Sequence, residues 1–514
     1  MGFRADGTSW AIATPHTAAT DAGLIAFERG GTAMDAALHA AATLAVAYPH
    51  MCGVGGDLFA LVQRADGETL AINSSGRSPV AADPSVLDGL GEMPIRGPVP
   101  ITVPGAVAGW AALHRTGAVL PWADAFTVAT RLAADGVAVS RSLRGELEED
   151  AELFGSDPGL ASIYFTEGGP AALGDVVRQP ALARTLEAIA GGGPDVLYGG
   201  AVGDAYAAGL RAAGSPITVD DLVAHQATLL APMRARFREL HVSVVPPNSQ
   251  GFTLLQMLAL IERLGIEPDL DGVDAGRIAR VIDVVNGDRD RHLADADRML
   301  VHPSTLLDDG HLAGLADNAA APAHAHADGD TIALVAADGH GNAVSLIQSL
   351  FWGFGSGICE PTTGIVAQNR GACFTLEEGH PNRFAPGVRP FHTLMPVLVH
   401  DGGGLVGVPG TMGGYHQPQI NLHTITRTFV GGEHPADAVA APRWIVLGAE
   451  DGGDTTTVGI EDGVPEPALR SLQDVGGFGV TEGDSFGHAH LIRREGGRLL
   501  AGSDPRADGA AAAG

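Results

Sequence analysis

Apolar positions along this chain recur with two different periods, and the switches between them mark its elements. From His16 to Tyr48 the pattern is helical, two Ala-rich segments separated by Gly30 and Gly31, which serve as C-cap and turn. The second segment, around Met34 to Val46, is apolar on nearly every face, so it is expected to be buried all round. After GVGGD (Gly53 to Asp57) the pattern becomes that of a strand in LFALVQ, and Asp66-Gly67 turns the chain into a second strand, TLAIN.

From about Trp110 to Leu312 the three- and four-residue spacing returns, as in LLQMLALIERLG and AGRIARVIDVVNGDRDRHLADADRML, and predicts helices that cover a sheet. Residues 316–330, ADNAAAPAHAHADGD, carry no large apolar side chain and read as a mobile strap. Directly after it, TIALVAADGHGNAVSLIQSL predicts a hairpin whose first strand opens with Thr331. MPVLVHDGGGLVGVPG repeats the hairpin design, and PQINLHTITRTFV reads as a helix. Paired strands with covering helices predict an α/β sandwich.

Composition narrows the function. With 45% apolar residues a core is not limiting, and 60 acidic against 31 basic residues leave a formal charge of −29. That field repels phosphate backbones and anionic lipid, so neither nucleic acid nor membrane is an expected partner. Cys52, Cys359 and Cys373 are too few and too scattered for a disulfide framework or a CxxC metal pattern. The start MGFRADGTSWAIATPH has no apolar signal stretch, and no run reaches the ~18 apolar residues of a membrane span. The expectation is a cytoplasmic protein.

A Thr between a flexible polar tether and a buried strand is placed to attack the carbonyl of Asp330, because the tether lets that peptide distort. Cleavage would leave Thr331 as a new N-terminus. Its free α-amine, with an ordinary pKa of about 7.7 to 8.0, can serve as general base for the hydroxyl of the same residue. On pattern alone a Thr at a strand start is usually just a β-former. His324 and His326 have a spacing that could support a metal, but with no further ligand nearby they read as part of the tether. GVGGD is not GxGxxG, so no dinucleotide site is expected, and no cofactor is implied.

GDTIALVAADGHGNAVSLIQSLFWGFGSG resembles the segment that begins the small subunit of the γ-glutamyltransferase family, N-terminal nucleophile hydrolases whose precursors cut themselves there. GGTAMDAALHAAATLAVAYPHMCGVGGDLFALV, ITVPGAVAGW, PPNSQGFTLLQML, DRDRHLADAD and SDPRADG resemble further family blocks in the expected order, so the resemblance covers nearly the whole chain. It implies an αββα sandwich, an α+β fold of two stacked sheets, built from a large subunit (1–330, with the tether at about 316–330) and a small one (331–514). It puts Thr331 on the nucleophile, Gly413 and Gly414 of GTMGGYHQPQI on the pair whose N–H groups hold the oxyanion, and Ser349 on a hydroxyl beside the nucleophile.

The pattern departs from the family where glutamate would be held. The Asn, Gln and Asp that bind an α-amino group correspond to Phe351, Arg370 and Cys373, leaving no carboxylate for an ammonium. Two adjacent serines correspond to His392 and Thr393, and the carboxylate-binding Arg to Ser75. Arg77 can compensate from a shifted register, so that Arg370 and Arg77 together would grip a carboxylate, though each alone reads equally as a surface or structural Arg.

These replacements resemble a divergent branch that includes oxamate amidohydrolase-like enzymes and biosynthetic acylases. The implied activity is attack by Thr331 on a small carboxylate-bearing amide, with release or transfer of the acyl group. Three other readings share these residues: a γ-glutamyl transferase or hydrolase with an altered pocket, a hydrolase of C–C bonds, and a non-catalytic scaffold that binds an anion. Association of the processed heterodimer into a larger homo-oligomer is left open.

Overall fold

The computed structural model describes residues 2–317, 330–449, 456–483 and 485–514. Two seven-stranded sheets form its centre. The first runs, edge to edge, Ala510–Ala513, Trp10–Thr14, Asp330–Asp338, Ala343–Phe351, Asp57–Gln63, Thr69–Ser74 and Thr228–Leu230, every neighbour antiparallel. The second runs Arg4–Gly7, Arg498–Ser503, His488–Glu495, Gly404–Met412, Val397–Asp401, Leu240–Val244 and Met233–Phe237, likewise antiparallel.

Two-residue alternation decides which face goes where. Ile332, Leu334 and Ala336 pack outward against helices, in one core with Ala40, Leu44 and Trp110. Ala333, Val335 and Ala337 point inward and meet Leu398, Val408 and Ile492 of the second sheet. The second sheet's outer face packs Val242, Val397 and Val399 against Leu254, Leu258, Ile278 and Ile282 of the helices Phe252–Arg263 and Ala275–His292. Helices, two sheets and helices thus stack as a four-layer αββα sandwich.

The Ala-rich pair forms as the pattern predicts, at Thr17–Glu28 and Ala33–Ala47. Thr32 and Asp35 close a reciprocal capping box on the second helix, and all of that helix is buried. Its small side chains let it lie flat between the first sheet and its neighbours. Both expected hairpins are present, Asp330–Asp338 with Ala343–Phe351 and Val397–Asp401 with Gly404–Met412.

Two expectations are corrected. The stretch 110–312 is not only helical cover, because Met233–Phe237 and Leu240–Val244 form an edge hairpin of the second sheet. In Met233–Phe237 only Phe237 is buried, so too few apolar positions alternate to stand out from the helical background. The strap does not begin at Ala316, since Ala316 and Asp317 close the helix Asp309–Asp317; its remainder, with His324 and His326, lies outside the described residues up to the main chain of Asp330. No helix among the described residues is long and apolar enough to cross a membrane.

The sheets approach closely at Gly410, where a Cβ would stand 2.9 Å from Val335 Cγ1 and 3.4 Å from Ala333 Cβ. Gly410→Val should therefore wedge the sheets apart and lower stability by about 1–3 kcal/mol, seen as a fall in Tm. An unchanged Tm would mean that the inter-sheet layer is loosely packed.

Candidate active site

The hairpin that opens with Thr331 is irregular at its start. Ile332 pairs with Gln348 and Asp330 with Phe351, so Thr331 alone opposes both Ser349 and Leu350. This bulge bends the strand end, a device that re-aims side chains beside active sites. The result brings two hydroxyls together: Thr331 Oγ1 donates to Ser349 Oγ at 3.1 Å, with both residues fully buried. Ser349 Oγ also accepts the Phe351 N–H at 2.7 Å. Phe351 itself adopts φ 87°, a strained backbone for a bulky L-residue.

Behind these hydroxyls lies Arg370, fully buried. Its Nη2 donates to Ser349 Oγ at 3.4 Å, its Nη1 to Thr393 Oγ1 at 3.1 Å and to Cys373 Sγ at 3.5 Å. The guanidinium carbon sits 4.0 Å from the centroid of the Phe351 ring. Such a cation–π contact contributes about 2 kcal/mol when desolvated, less than the several kcal/mol that burying an ion costs. Arg370 Nε has no hydrogen-bond partner among the described residues. Nor is a carboxylate paired with Arg370 there, so its charge is left without a counterion in contact.

Gly413 (φ 129°) and Gly414 (φ 49°) end the strand Gly404–Met412 in a left-handed turn that only glycine makes without strain. Both are buried, and neither N–H has an acceptor among the described residues. Two adjacent buried donors without partners are rare unless a ligand or water completes them. Gln250 ties this turn to the Arg370 cluster, its Nε2 donating to Gly414 O at 3.0 Å and to Thr393 O at 2.8 Å.

His392 is directed away from this cluster. Its Nε2 meets Asp57 Oδ2 at 3.2 Å, its Nδ1 accepts the Leu394 N–H, and its ring packs on Phe59. Burial, reinforced by Arg370, pushes its pKa well below the ordinary value, so the ring is neutral with its proton on Nε2. Burial pushes the Asp57 carboxyl up to about 7, against the pull of the Gln368 side chain, Arg370 and the Gly76 N–H. Asp57 pairs across the sheet with Ser349, and Gln368 Nε2 and His392 Nε2 both reach it. It therefore clamps the two segments that carry Arg370 and Thr393.

The structure thus gathers Thr331, Ser349, Phe351, Arg370, Cys373 and Thr393, with Gly414 joined through Gln250. It does not bring Arg77 to Arg370. Arg77 binds Asp295 Oδ2 at 3.0 Å and Gly387 O at 3.1 Å, and lines a separate small cavity with Arg389 and His225. The expected juxtaposition of Arg77 with Arg370 is not made, because the Asp295 carboxylate holds Arg77 in place. Ser75 hydrogen-bonds Asn73 and Asn248.

A cleft of about 330 Å³ opens over Phe351, Cys373 and Tyr415, and Arg289 lines it. Arg289 Nε pairs with Asp290 at 2.9 Å while its guanidinium stacks on Tyr415. Asp57, Gln250 and Arg289 were not singled out from sequence. The signal for Asp57 was a carboxylate entering the otherwise apolar strand DLFALVQ. Among the described residues no group of three or more His, Cys, Asp or Glu side chains is arranged to hold a metal ion.

The Asp57–His392 pair generates a pH prediction. Unfolded, the pair carries one titratable proton on His between about pH 4 and 6.5; folded, it carries one on Asp57 up to about 7, so the counts match and stability is nearly flat. In Asp57→Asn only the depressed His392 remains, and the unfolded state then binds the extra proton below pH 6.5. The Tm gap between native protein and Asp57→Asn should widen as pH falls from 8 to 5, by about 2 kcal/mol in free energy. A constant gap would refute the neutral-histidine assignment.

Residues 19–514 match the family described as Gamma-glutamyltranspeptidase. The chain is 35% identical to the oxamate amidohydrolase proenzyme of Klebsiella pneumoniae, over 97% of each chain. It is 36% identical to the glutathione hydrolase-like YwrD proenzyme of Bacillus subtilis, over 98% of each. Among solved structures, the cephalosporin acylase from Bacillus halodurans superposes with a TM-score of 0.91 at 30% identity, covering 99% of this chain and 97% of that one. Sequence, architecture and the buried hydroxyl pair at the bulged hairpin agree, and the chain belongs to the gamma-glutamyltranspeptidase family of N-terminal nucleophile hydrolases.

Proposed function

We propose that this chain is a precursor that cuts itself between Asp330 and Thr331, and that the mature heterodimer of 1–330 and 331–514 hydrolyses small carboxylate-bearing amides. The observation that carries this reading is the hydroxyl chain Thr331–Ser349 ending on Arg370, a buried cation with no paired carboxylate among the described residues. Two relatives at 35% and 36% identity are named as proenzymes, one of them an oxamate amidohydrolase, which supports both halves of the proposal.

In this mechanism the freed α-amine of Thr331 takes the proton of its own Oγ1 as that oxygen attacks the amide carbonyl. The charge that develops on the carbonyl oxygen is met by the N–H groups of Gly413 and Gly414, which have no acceptor among the described residues. The α-ammonium returns its proton to the leaving amine, and water then hydrolyses the ester. Arg370 receives the substrate carboxylate, with Thr393 fixing one arm of the guanidinium.

A γ-glutamyl group fits less well. Its α-amino group would face Arg370 and Cys373, where no carboxylate pairs with the guanidinium among the described residues. Arg370 Nη2 and Thr331 Oγ1 are separated by no more than two links of 3.4 and 3.1 Å through Ser349 Oγ. That short span suits a carboxylate attached at or next to the scissile carbonyl better than one three carbons away.

Purified protein should show a second N-terminus reading TIALV, and Thr331→Ala should stay full-length and inactive. Oxamate should be hydrolysed and a γ-glutamyl anilide left nearly untouched; efficient turnover of the anilide would overturn the pocket assignment. Arg370→Leu should keep or raise Tm, since burying an apolar group of similar size avoids the desolvation cost. The same change should lower kcat/KM on oxamate at least about a hundredfold, roughly 2.7 kcal/mol. Unaltered activity in that variant would remove Arg370 from the substrate site.

A further inference from the structure

We infer that the amides this site is built for carry an aromatic, uncharged amine as leaving group: N-aryl or N-arylalkyl monoamides of a two- or three-carbon diacid. The inference rests on the amidohydrolase reading and assigns the half of the substrate that Arg370 does not touch.

The site has two compartments. The inner one, formed by Thr331, Ser349, Arg370 and Thr393, is polar and fully buried. The outer one is the cleft of about 330 Å³, in the range of pockets that enclose a drug-sized molecule. Phe351 and Cys373 form the partition. Phe351 lines the cleft while its ring lies against the Arg370 guanidinium and its N–H binds Ser349, and Cys373 lines the cleft while accepting from Arg370. Arg370 itself does not line the cleft.

Because Arg370 Nη2 and Thr331 Oγ1 are joined through Ser349 Oγ by links of only 3.4 and 3.1 Å, a carboxylate on the guanidinium and a carbonyl at the hydroxyl fill the span between them. The only substituent left to occupy the cleft is the one on the amide nitrogen. Oxamate, whose nitrogen carries hydrogen alone, would leave that volume to water. The cleft walls are aromatic: Trp352, Phe374, Phe391 and Tyr415 line it with Phe351, and Phe391 meets Tyr415 edge-on at 5.5 Å between centroids. Offset and edge contacts of this kind favour an aryl guest.

Charge at the mouth excludes an amino-acid leaving group. Arg289 is already paired with Asp290, and the exposed Glu92 and Glu377 stand at the rim, so a second carboxylate would meet like charge. The chemistry balances without a co-reactant other than water. Thr331 Oγ1 bonds the carbonyl carbon as the C–N bond breaks, the arylamine leaves with the proton held by the α-ammonium, and water releases the diacid.

The test uses the self-cleaved protein with oxamate and with oxanilate, its N-phenyl counterpart. Oxanilate should show a kcat/KM at least tenfold above that of oxamate, mainly through KM. Phe391→Ala and Trp352→Ala should raise KM for oxanilate at least tenfold more than KM for oxamate, with complete self-cleavage and a cooperative thermal transition reporting that each variant is folded. Turnover of oxamate with oxanilate equal or poorer would overturn this inference and leave the amidohydrolase reading standing. Inactivity of the cleaved enzyme on both would overturn the two together.

Discussion

A guanidinium held wholly out of water, with no paired carboxylate among the described residues, is the constraint around which this site is organised. Arg370 is offset in part by the Phe351 ring, by the Ser349 and Thr393 hydroxyls and, at longer range, by Asp57. None of these neutralises it in contact. A buried cation that the fold leaves incompletely compensated favours whatever anion can reach it. Under the proposed mechanism the candidates in reach are a substrate carboxylate and the negative charge that builds during attack by Thr331. The same charge helps keep His392 neutral and competes with burial for the proton of Asp57, so the electrostatics of the whole cluster follow from this one residue.

The backbone makes that arrangement possible in two places, one in each sheet. In the first sheet, Thr331 shares the inward parity of Ala333 and Val335 and Ser349 that of Ile347, and the bulge lies where their hydroxyls meet. In the second, Gly413 and Gly414 end a strand in a conformation that leaves two N–H groups without acceptors among the described residues. Gln250 joins them by holding Gly414 O and Thr393 O with one amide. The stacked sheets around Ala333, Val335 and Val408 supply the rigid floor that sets these two irregular ends against each other.

Much of this was legible in the sequence, and what escaped has physical reasons. The hairpins beginning at Thr331 and Val397 and the buried Ala-rich helix were plain because burial on both sides makes their patterns strong. The edge hairpin Met233–Phe237 with Leu240–Val244 was missed because its outer strand, with only Phe237 buried, alternates weakly. At the site, residue types pointed to Arg370 as an anion receptor. Arg77, expected beside it, lies elsewhere, because its pairing across the fold with Asp295 cannot be seen in a linear pattern. Asp57 was noticed only as the end of a glycine turn. Its contacts with Gln368 and His392 lie more than three hundred residues away, beyond any local signal.

Under the proposed mechanism, one set of groups has two tasks at different times. Self-cleavage needs the Thr331 hydroxyl and the two glycine donors, because the peptide it breaks has the same carbonyl chemistry as an amide substrate. That work needs no carboxylate receptor. Arg370 and the aromatic cleft matter only after the cut, when a free molecule must be recognised. The division explains how the nucleophile, its neighbouring hydroxyl and the glycine turn can match the family pattern while Phe351, Arg370, Cys373 and Thr393 depart from it. The second set can change without disabling maturation. Under this proposal, substrate choice is set by residues one layer behind and one layer outside Thr331, rather than by the contacts of Thr331 itself.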